Sequence, residues 1–311
     1  MAERLALCIL PGTRWSAQEI QTIAREAEEA GFDAIFTNEF GNDALAMAHL
    51  MGAATHRILV GTYIINIYLR HPYVCAQGAA LIADATGGRL VLGLGVSHQH
   101  VNEALGIDMQ HPPTALRRYV TAVQSWLRGE SPLTALPQCP AAYPVPVYVA
   151  ALASHAVELG GELADGIMPF MWPAARVTQS QAWAARGRAK APGRGPLAIA
   201  LGVPTLLGDD LEALHTAARQ NLGFYTTLPF LQRLFRVSGF AAEAAQMEQG
   251  GGAAALTDRL LDATCLLGPV ARCREQLAAF RAAGVDLPIL VPSARESGVE
   301  EVRRVIQAFR R

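Results

Sequence analysis

The feature of this sequence that most restricts its fold is an alternation between short apolar, β-branched runs and longer amphipathic stretches. Short apolar runs are typical of buried parallel strands, and apolar residues with a period near 3.6 are typical of helices that cover a sheet. Strands are predicted at residues 5–10, 34–38, 58–66, 89–96, 147–151, 166–170, 197–201 and 287–291. Eight such strands predict an α/β fold of the (β/α)8 TIM barrel type, with a doubly wound open sheet as the competing arrangement.

Helix boundaries are indicated by capping residues and glycines. Ser16 is followed three residues later by Glu19, which is the pattern of a capping box, and Gly31 and Gly129 each follow a helical stretch. Helices are predicted at residues 17–30, 43–54, 73–85, 114–128, 153–164, 173–189, 270–283 and 299–309. A further helical region, about residues 209–264, is predicted as an insertion between the seventh and eighth strands. Because the composition does not shift along the chain, we expect one domain over residues 1–311.

The composition argues against several classes of protein. Apolar residues make up 51% of the chain and charged residues 17%, which is enough apolar material for a large core and too little charge for a disordered chain. The net charge of −1 argues against binding to nucleic acids or anionic membranes, which need a cationic surface. The five cysteines are scattered, and no signal peptide or membrane-spanning segment is recognised, so we expect a reduced, cytoplasmic protein.

The stretch from Gly93 to His98, with the sequence GLGVSH, is the most informative one. It begins like a dinucleotide-binding loop, but His98 stands where that motif requires a third glycine. Side chains alternate along a strand, so Gly93, Gly95 and Ser97 share one face while the bulky residues between them share the other. The small face either leaves room for a flat group at the barrel mouth or fills a crowded layer of the barrel interior.

Polar or small residues follow several predicted strands. Asn38 and Glu39 end the second strand, and Asn66 ends the third. Active sites of such barrels lie at the carboxyl ends of the strands, so these residues are candidates for function, and capping of the next helix is the alternative for Asn38 and Glu39. The turn after the fifth strand consists of Ala151, Leu152, Ala153 and Ser154. It is either an ordinary turn or a helix N-terminus whose backbone N–H groups hold a phosphate.

Histidine and aromatic residues near the strand ends suggest two further features. His98 and His100 have the spacing of two metal ligands, but no second pair accompanies them, and we predict no metal site. An apolar lip is predicted after the sixth strand, with a second wall from the insertion, although either set also fits a core. These residues are Met168, Phe170, Met171 and Trp172 for the lip, and Phe224, Tyr225 and Phe230 for the wall.

Six short stretches form a further pattern. They are EEAGFDA at residues 28–34, ILVGT at 58–62, RHP at 70–72, GRLVLGLG at 88–95, ADG at 164–166 and AAGVD at 282–286. Together they resemble the luciferase-like flavin and deazaflavin oxidoreductase superfamily. This resemblance implies a barrel with an insertion after strand seven, and an enzyme that uses a flavin or a deazaflavin.

Two stretches are most similar to the branch of this superfamily that uses coenzyme F-420, a deazaflavin. They are NIYLRHP at residues 66–72, and GVSH at 95–98 with NEALG at 102–106. The resemblance implies a cis peptide bond between Tyr63 and Ile64, and a phosphate held by backbone groups at Val96 to His98 and at Leu152 to Ser154. The cofactor-binding residues it implies are Asn38, Tyr63, Ile64, Asn66, Gly95, Val96, Ser97, His98, Asn102, Ala151, Leu152, Ala153 and Ser154.

The sequence departs from this branch in ways that affect the chemistry. Asn38 and Glu39 stand where many relatives have an aspartate and a histidine, so Glu39 or His98, with Asn38 beside them, is the candidate for proton transfer. The phosphate turn has Leu152 and Ala153 where glycines are common. Lysines that bind a sugar phosphate in one relative have no counterpart, so we do not expect a sugar-phosphate substrate.

The sequence thus predicts an oxidoreductase that transfers hydride between reduced coenzyme F-420 and a small, largely apolar organic substrate. The alternatives are an FMN-dependent monooxygenase that uses O2, a non-catalytic flavin-binding protein, and a metal-dependent hydrolase based on His98 and His100. The predicted helices at residues 43–54 and 73–85 are more apolar than one barrel face needs. In the superfamily such helices form a dimer interface, and we therefore expect a homodimer.

Overall fold

The barrel predicted from the sequence is present in the computed structural model, which describes residues 3–10, 15–133, 135–292 and 298–311. The strands found there are β1 (Ala6–Ile9), β2 (Ala34–Thr37), β3 (Leu59–Thr62), β4 (Ile65–Asn66), β5 (Leu90–Gly95), β6 (Val147–Val149), β7 (Gly166–Ile167), β8 (Ala198–Leu207), β9 (Leu266–Gly268) and β10 (Leu287–Val291). Eight of them close a parallel barrel in the order β1, β2, β3, β5, β6, β7, β8, β10, with β10 paired to both β8 and β1. The (β/α)8 prediction is confirmed, and the open sheet is wrong.

Helices cover the outside of the barrel. They are α1 (Ala17–Glu29), α2 (Ala44–Ala53), α3 (Pro72–Ala85), α4 (Gln99–Ala104), α5 (Pro112–Arg128), α6 (Ser154–Leu163), α7 (Ala174–Ala189), α8 (Leu211–Leu222), α9 (Pro229–Arg236), α10 (Ala241–Glu248), α11 (Asp258–Thr264), α12 (Val270–Ala282) and α13 (Val299–Ala308). The predicted capping box is confirmed, because the Ser16 hydroxyl accepts from the Glu19 amide while the Glu19 carboxylate accepts from the Ser16 amide. Within the described residues, no helix has the length and apolarity needed to span a membrane; the cytoplasmic location stays a prediction.

The strands present two different faces to two separate cores. Leu90, Leu92 and Leu94 of β5 point outward and pack with the helices in the larger core. Val91 points inward and packs with Phe36 of β2 and other residues of the barrel interior. The alternation predicted for the fourth barrel strand is therefore confirmed, and it places Gly93 and Gly95 on the interior side.

Several predicted elements differ from those observed. The strand predicted at residues 58–66 is interrupted at Tyr63–Ile64, where the peptide bond is cis as expected, and it resumes as β4, which pairs with β5. The seventh barrel strand, predicted to end at residue 201, continues to Leu207 because its last three residues pair with β9. Neither β9 nor α4 was predicted, since elements of three and six residues are too short to show a period.

The predicted insertion is helical, as expected, and leads into β9. It contains α8 to α11 and two short 3-10 helices, Gly223–Thr227 and Gly252–Ala255. Its breaks near Gly239 and at residues 250–252 agree with the prediction, and the break at residues 223–228 was not foreseen. Leu231 and Leu260 of the insertion belong to the same core as the outward-facing barrel residues. That continuity supports the single domain, which stays a prediction.

Candidate active site at the barrel mouth

The carboxyl ends of the barrel strands bring most of the predicted site residues together. Asn38 and Glu39 follow β2, Asn66 ends β4, and Ser97 and His98 follow β5. Because the strands are parallel, these positions lie at the same end of the barrel, where active sites of this fold are found. The residues at this end are described below as the mouth of the barrel.

Glu39 is the most firmly held polar side chain of the mouth. One carboxylate oxygen pairs with the Arg70 guanidinium, and the other accepts the backbone N–H of Asn66 at 2.8 Å. The side chain is 3% exposed, and this burial raises the pKa of Glu39, although Arg70 and the Asn66 amide both oppose that rise. Since both oxygens are engaged, Glu39 fixes the end of β2 to the chain that follows the cis peptide bond.

Two asparagines extend this connection to the turn after β5. The side-chain amide of Asn66 donates to Oδ1 of Asn102 at 2.7 Å, and the Asn102 amide donates to the Val96 carbonyl at 2.9 Å. Oδ1 of Asn66 accepts from the backbone N–H of Tyr68. Asn66 and Asn102 are both buried. They therefore hold the turn that carries His98 against the chain after β3.

An apolar surface, here called the floor, lies across the mouth and consists of Tyr63, Ile64 and Phe170. All three are half-buried and pack on the barrel interior. The Tyr63 hydroxyl donates to the Pro169 carbonyl at 2.6 Å and occupies the space that a side chain at Gly202 would need. Burial raises the pKa of Tyr63 well above its ordinary value, so this hydroxyl stays protonated. Tyr63 thus connects the floor to β8 and to the chain that follows β7.

The glycines of β5 do not leave open room, and of the two alternatives the crowded interior is confirmed. A Cβ atom at Gly95 would lie 2.9 Å from the Ile64 side chain and 2.9 Å from Cβ of Ala150. At Gly93 it would collide with the Thr62 carbonyl and lie 2.7 Å from Sδ of Met168. Gly95 therefore acts on the site by admitting Ile64, which forms the surface that faces the mouth.

Two non-glycine residues at the mouth adopt left-handed backbone conformations that the sequence did not indicate. Ser97, after β5, has φ of 58°, and Met171, after β7, has φ of 53°. Such conformations are uncommon outside glycine, asparagine and aspartate, and they collect at functional sites. Both redirect the chain just beyond a barrel strand.

His98 belongs to an aromatic wall that joins the mouth to the insertion. Its ring stacks on Phe230 at a centroid distance of 5.4 Å, and Tyr225 meets it edge-on at 6.4 Å. Tyr225 also contacts Phe170 of the floor at 5.3 Å, and Phe224 meets His100 edge-on at 4.9 Å. The second wall predicted from the insertion is thus formed around His98.

The predicted lip after strand six is only partly at the mouth. Phe170 belongs to the floor, but Met168 points into the barrel interior, where it packs beneath the floor. Met171 and Trp172 are fully buried in the outer core. For these three residues the alternative of ordinary core is confirmed.

Nε of Arg70 and two further polar atoms at the mouth are buried and have no hydrogen-bond partner among the described residues. The two further atoms are Oδ1 of Asn38 and Nδ1 of His98. Burial, helped by the neighbouring His100, lowers the pKa of His98 to about 4, so its ring is neutral at pH 7. Most buried polar atoms are satisfied in folded proteins, so Asn38 and His98 are candidates for hydrogen bonds to a ligand.

The turn after β6 opens α6 without a side-chain cap. Ala153 is the N-cap, with φ of −102° and ψ of 159°, and its methyl side chain provides no capping hydrogen bond. The turn is joined to the next helix by Arg176, whose Nη2 donates to the Leu152 carbonyl at 3.2 Å. Sequence reasoning missed Arg176. The signal was an arginine in the first turn of a helix, where acidic residues are preferred.

The histidine pair that suggested a metal site stacks ring on ring instead of converging on a point. The His98 and His100 centroids are 5.8 Å apart with nearly parallel planes. Across the described part of the chain, no group of three or more histidine, cysteine, aspartate or glutamate side chains is arranged to hold a metal ion.

Comparisons with known proteins point to one family. The family model described as luciferase-like monooxygenase matches residues 9–287. A proposed coenzyme F-420-dependent oxidoreductase of Mycobacterium tuberculosis is 28% identical to this chain, over 91% of this chain and 94% of its own length.

Solved structures agree on the fold. The coenzyme F-420-dependent tetrahydromethanopterin reductase of Methanopyrus kandleri has a TM-score of 0.77 and 17% identity, over 98% of each chain. A monooxygenase of Streptomyces bottropensis has a TM-score of 0.74 and 20% identity, over 98% of this chain and 97% of that one.

Proposed function

Because the chain belongs to the luciferase-like monooxygenase family, we propose that it transfers hydride between coenzyme F-420 and a small, largely apolar organic substrate. Relatives named for F-420 support the choice of coenzyme. The observation that carries the proposal is the mouth itself, where an apolar floor lies beside two buried polar atoms that have no partner, Oδ1 of Asn38 and Nδ1 of His98.

These residues suit a deazaflavin. A flat ring with polar edges needs an apolar surface to rest on and hydrogen-bonding groups at its border, and its phosphate needs backbone donors. Ile64 and its neighbours provide the surface, Asn38 and His98 provide unpaired polar atoms, and the uncapped start of α6 at Ala153 provides the donors. When bound, F-420 supplies or accepts the hydride, and the protein provides position and protonation.

The remaining predicted residues act by holding this arrangement. Gly95 admits Ile64 behind the ring position. Val96 and Ser97 form the turn that presents His98, and Asn66 with Asn102 fixes that turn. Glu39 was a candidate for proton transfer, but both of its oxygens are already bonded, so a positioning role suits it better.

Hydrogen bonding to the reacting group of the substrate then belongs to His98. The ring is neutral at pH 7, and its buried Nδ1 has no partner among the described residues, so this atom is available for one hydrogen bond with a polar group of the substrate. The aromatic wall excludes water around it, with Phe230 stacked on the ring and Tyr225 at its edge. This wall is the basis for proposing a substrate that is apolar apart from the group that reacts.

The direct test is titration of the purified protein with F-420 and, separately, with FMN, followed by visible absorbance and fluorescence. We expect saturable binding of F-420 and much weaker binding of FMN. Tight binding of FMN without binding of F-420 would reject the deazaflavin proposal in favour of FMN-dependent monooxygenation, which consumes O2. Binding of F-420 without hydride transfer to any of a panel of carbonyl and alkene substrates would favour a non-catalytic binding protein.

A homodimer is part of the proposal and has support from an exposed apolar face. Val74 and Leu81 lie seven residues apart on α3, and their exposed fractions are 54% and 65%. Leu69, just before this helix, is 44% exposed. Residues seven apart share one face of a helix, so together they form an apolar strip of the kind that marks protein interfaces.

Light scattering tests this interface. A variant with Val74→Asp and Leu81→Asp should be a monomer at concentrations where the wild type is a dimer, because two charges would be buried. Val237→Asp, at an equally exposed apolar residue of the insertion, is the control and should stay dimeric. A monomeric wild type at micromolar concentration would contradict the dimer.

A further inference from the structure

Aromatic side chains are concentrated at the mouth of the barrel. The floor contains the rings of Tyr63 and Phe170, and the insertion adds those of Phe224, Tyr225 and Phe230. Phenylalanine, tyrosine and tryptophan together make up only 7% of the chain. Leucine, isoleucine and valine are the usual residues where a protein only has to exclude water. The concentration of rings at the mouth therefore indicates a more specific role than burial.

The rings at the mouth are held in the orientations that aromatic groups prefer. The planes of His98 and Phe230 are 8° apart, whereas Tyr225 meets the His98 ring edge-on at 84°. Tyr225 also contacts Phe170, so the arrangement extends from the insertion to the floor. Stacked and edge-to-face contacts are favoured by the charge distribution of an aromatic ring. A flat aromatic ligand would find ring faces and ring edges already oriented for such contacts.

The rings of the insertion are not needed to fill its core. Leu231 and Phe235 of α9 are fully buried, whereas Phe224, Tyr225 and Phe230 are only half-buried. The three half-buried rings therefore keep apolar surface that solvent or a ligand can reach. Accessible apolar surface beside a cleft is typical of a binding surface.

His98 adds one polar atom to this aromatic surface. Phe230 stacks on the face of the His98 ring, and the buried Nδ1 at the ring edge has no partner among the described residues. Burial and the neighbouring His100 lower the pKa of His98 to about 4, so the ring brings no charge to the site at pH 7. The hydrogen bond of an imidazole nitrogen lies in the plane of its ring. A flat molecule with a polar group on its own ring can therefore bond Nδ1 and still contact the neighbouring rings.

We infer that the substrate is an aromatic compound with its polar group attached directly to the ring, an inference that rests on the proposed function. The coenzyme is proposed to rest on the floor, so the substrate lies between the coenzyme and the aromatic wall. There its ring contacts Tyr225 and Phe230, and its polar group bonds Nδ1 of His98. A saturated compound of the same size presents no aromatic face to the wall, and it gains only from burial.

Two ketones with the same carbon skeleton test this inference. Acetophenone is aromatic, and cyclohexyl methyl ketone is its saturated counterpart with the same carbonyl group. Burial alone predicts that the saturated ketone binds at least as tightly, because its ring is no less apolar. In an NMR titration of the protein saturated with F-420, acetophenone should bind about three- to tenfold more tightly. Equal or tighter binding of cyclohexyl methyl ketone, or binding of neither ketone, would overturn the inference.

A substitution in the wall shows whether its rings cause this preference. Phe230→Leu keeps an apolar side chain and removes the ring that stacks on His98. It should reduce the preference for acetophenone about two- to tenfold, and it should leave the affinities for cyclohexyl methyl ketone and for F-420 unchanged. A loss of F-420 affinity with an unchanged ketone preference would mean that the wall contacts the coenzyme instead of the substrate, and the inference would be wrong.

A matched control lies on the same helix. Phe235→Leu is the same substitution in α9, but at a residue that is fully buried in the core. It should lower the melting temperature and leave the ratio of the two ketone affinities unchanged. If it reduces that ratio as much as Phe230→Leu does, the effect is a general one of disturbing α9, and the wall does not select an aromatic substrate.

A second variant keeps the test valid if Phe230→Leu fails to fold. His98→Phe retains a ring against Phe230 and removes Nδ1, so it separates ring contacts from the hydrogen bond. Both ketones carry the same carbonyl group, and both should bind more weakly by a similar factor, with the preference for acetophenone retained. Loss of that preference would show that the polar atom selects the ligand and that the rings do not, which would overturn the inference.

Failure of the proposed function is distinguishable from failure of this inference. Titration of the wild type with F-420 and with FMN decides the coenzyme, and the two ketones are measured separately. If FMN binds instead of F-420, the ketones are compared on the protein saturated with FMN, and if neither coenzyme binds, on the protein alone. A preference for acetophenone that Phe230→Leu reduces would support the inference in each case. Absence of this preference would overturn it, whichever coenzyme binds.

Discussion

Two sets of polar side chains at the barrel mouth differ in how completely they are bonded. In the closed set, which consists of Glu39, Asn66 and Asn102, both polar atoms of each side chain have partners within the protein. In the open set, which consists of Asn38, His98 and Arg176, each side chain keeps a buried atom that has no partner in the described part of the chain. Folding accounts fully for the closed set. The open set is costly in the protein alone, and we therefore propose that it, rather than the closed set, binds a ligand.

The largest expected effect follows from opening the closed set. Glu39→Gln should lower the free energy of unfolding by about 2–4 kcal/mol, because it leaves the Arg70 guanidinium, 17% exposed, without its main counter-charge. Asp43, at 3.2 Å from Arg70, compensates only partly, since its own side chain is 56% exposed. Urea denaturation at pH 7 measures the change.

The control for this prediction is an ion pair on the surface. Glu130→Gln breaks the exposed pair with Arg128 and should cost less than about 1 kcal/mol. Equal losses for the two variants would show that Glu39 is no part of a buried scaffold. The distinction between the closed and open sets would then be wrong for Glu39, the residue for which it predicts the largest effect.

The next largest effect concerns the glycine that lies between scaffold and site. Gly95→Ala should lower the free energy of unfolding by about 1–3 kcal/mol, because its new methyl group would lie 2.9 Å from Ile64 and from Ala150. It should also weaken coenzyme binding by displacing Ile64 from the floor. Combining it with Ile64→Val should restore part of both losses. Gly195→Ala is the control, since open space surrounds that position, and loss of stability there would point to a general effect of replacing glycine.

How far the sequence predicted this molecule depends on the range of the interactions involved. The barrel strands and the capping box at Ser16 and Glu19 follow from local patterns, and the structure has them where the patterns indicated. The three residues of β9 and the left-handed turn at Ser97 carry no local signature. They depend on pairing and packing partners that are distant in sequence.

The same distinction applies to the site. Strand ends identified Asn38, Glu39 and Asn66, because position along a barrel strand is readable from periodicity. The sequence did not show that Glu39 is fully bonded, since its partner Arg70 lies 31 residues away. It also did not show that Arg176, in the first turn of α7, donates to the carbonyl of Leu152, which lies 24 residues earlier in the turn before α6. Whether a polar group is satisfied is decided by tertiary structure.

A pH titration of stability tests the open set through His98. The folded protein resists protonation of this ring until a pH of about 4, whereas the unfolded chain takes up the proton near its ordinary pKa of 6.5. Between these values the unfolded state binds more protons, so stability should fall as the pH is lowered, by at most about 1.4 kcal/mol per pH unit. His98→Phe, which preserves the stacking on Phe230, should remove this part of the slope. Identical slopes for the two proteins would show that His98 is not buried as a neutral ring.

The smallest effect on stability is expected at Asn38. Substitution of this residue therefore distinguishes the open set from the closed set most clearly. Asn38→Ala removes a buried oxygen that has no partner, so the free energy of unfolding should change by less than about 0.5 kcal/mol. Asn102→Ala is the matched control in the closed set. It should lower the free energy of unfolding by about 1–3 kcal/mol, because the Asn66 side-chain amide and the Val96 carbonyl lose their hydrogen-bond partner. Asn38→Ala should nevertheless weaken coenzyme binding, and by more than its small change in stability explains. A large loss of stability at Asn38 with unchanged affinity would assign this residue to the scaffold.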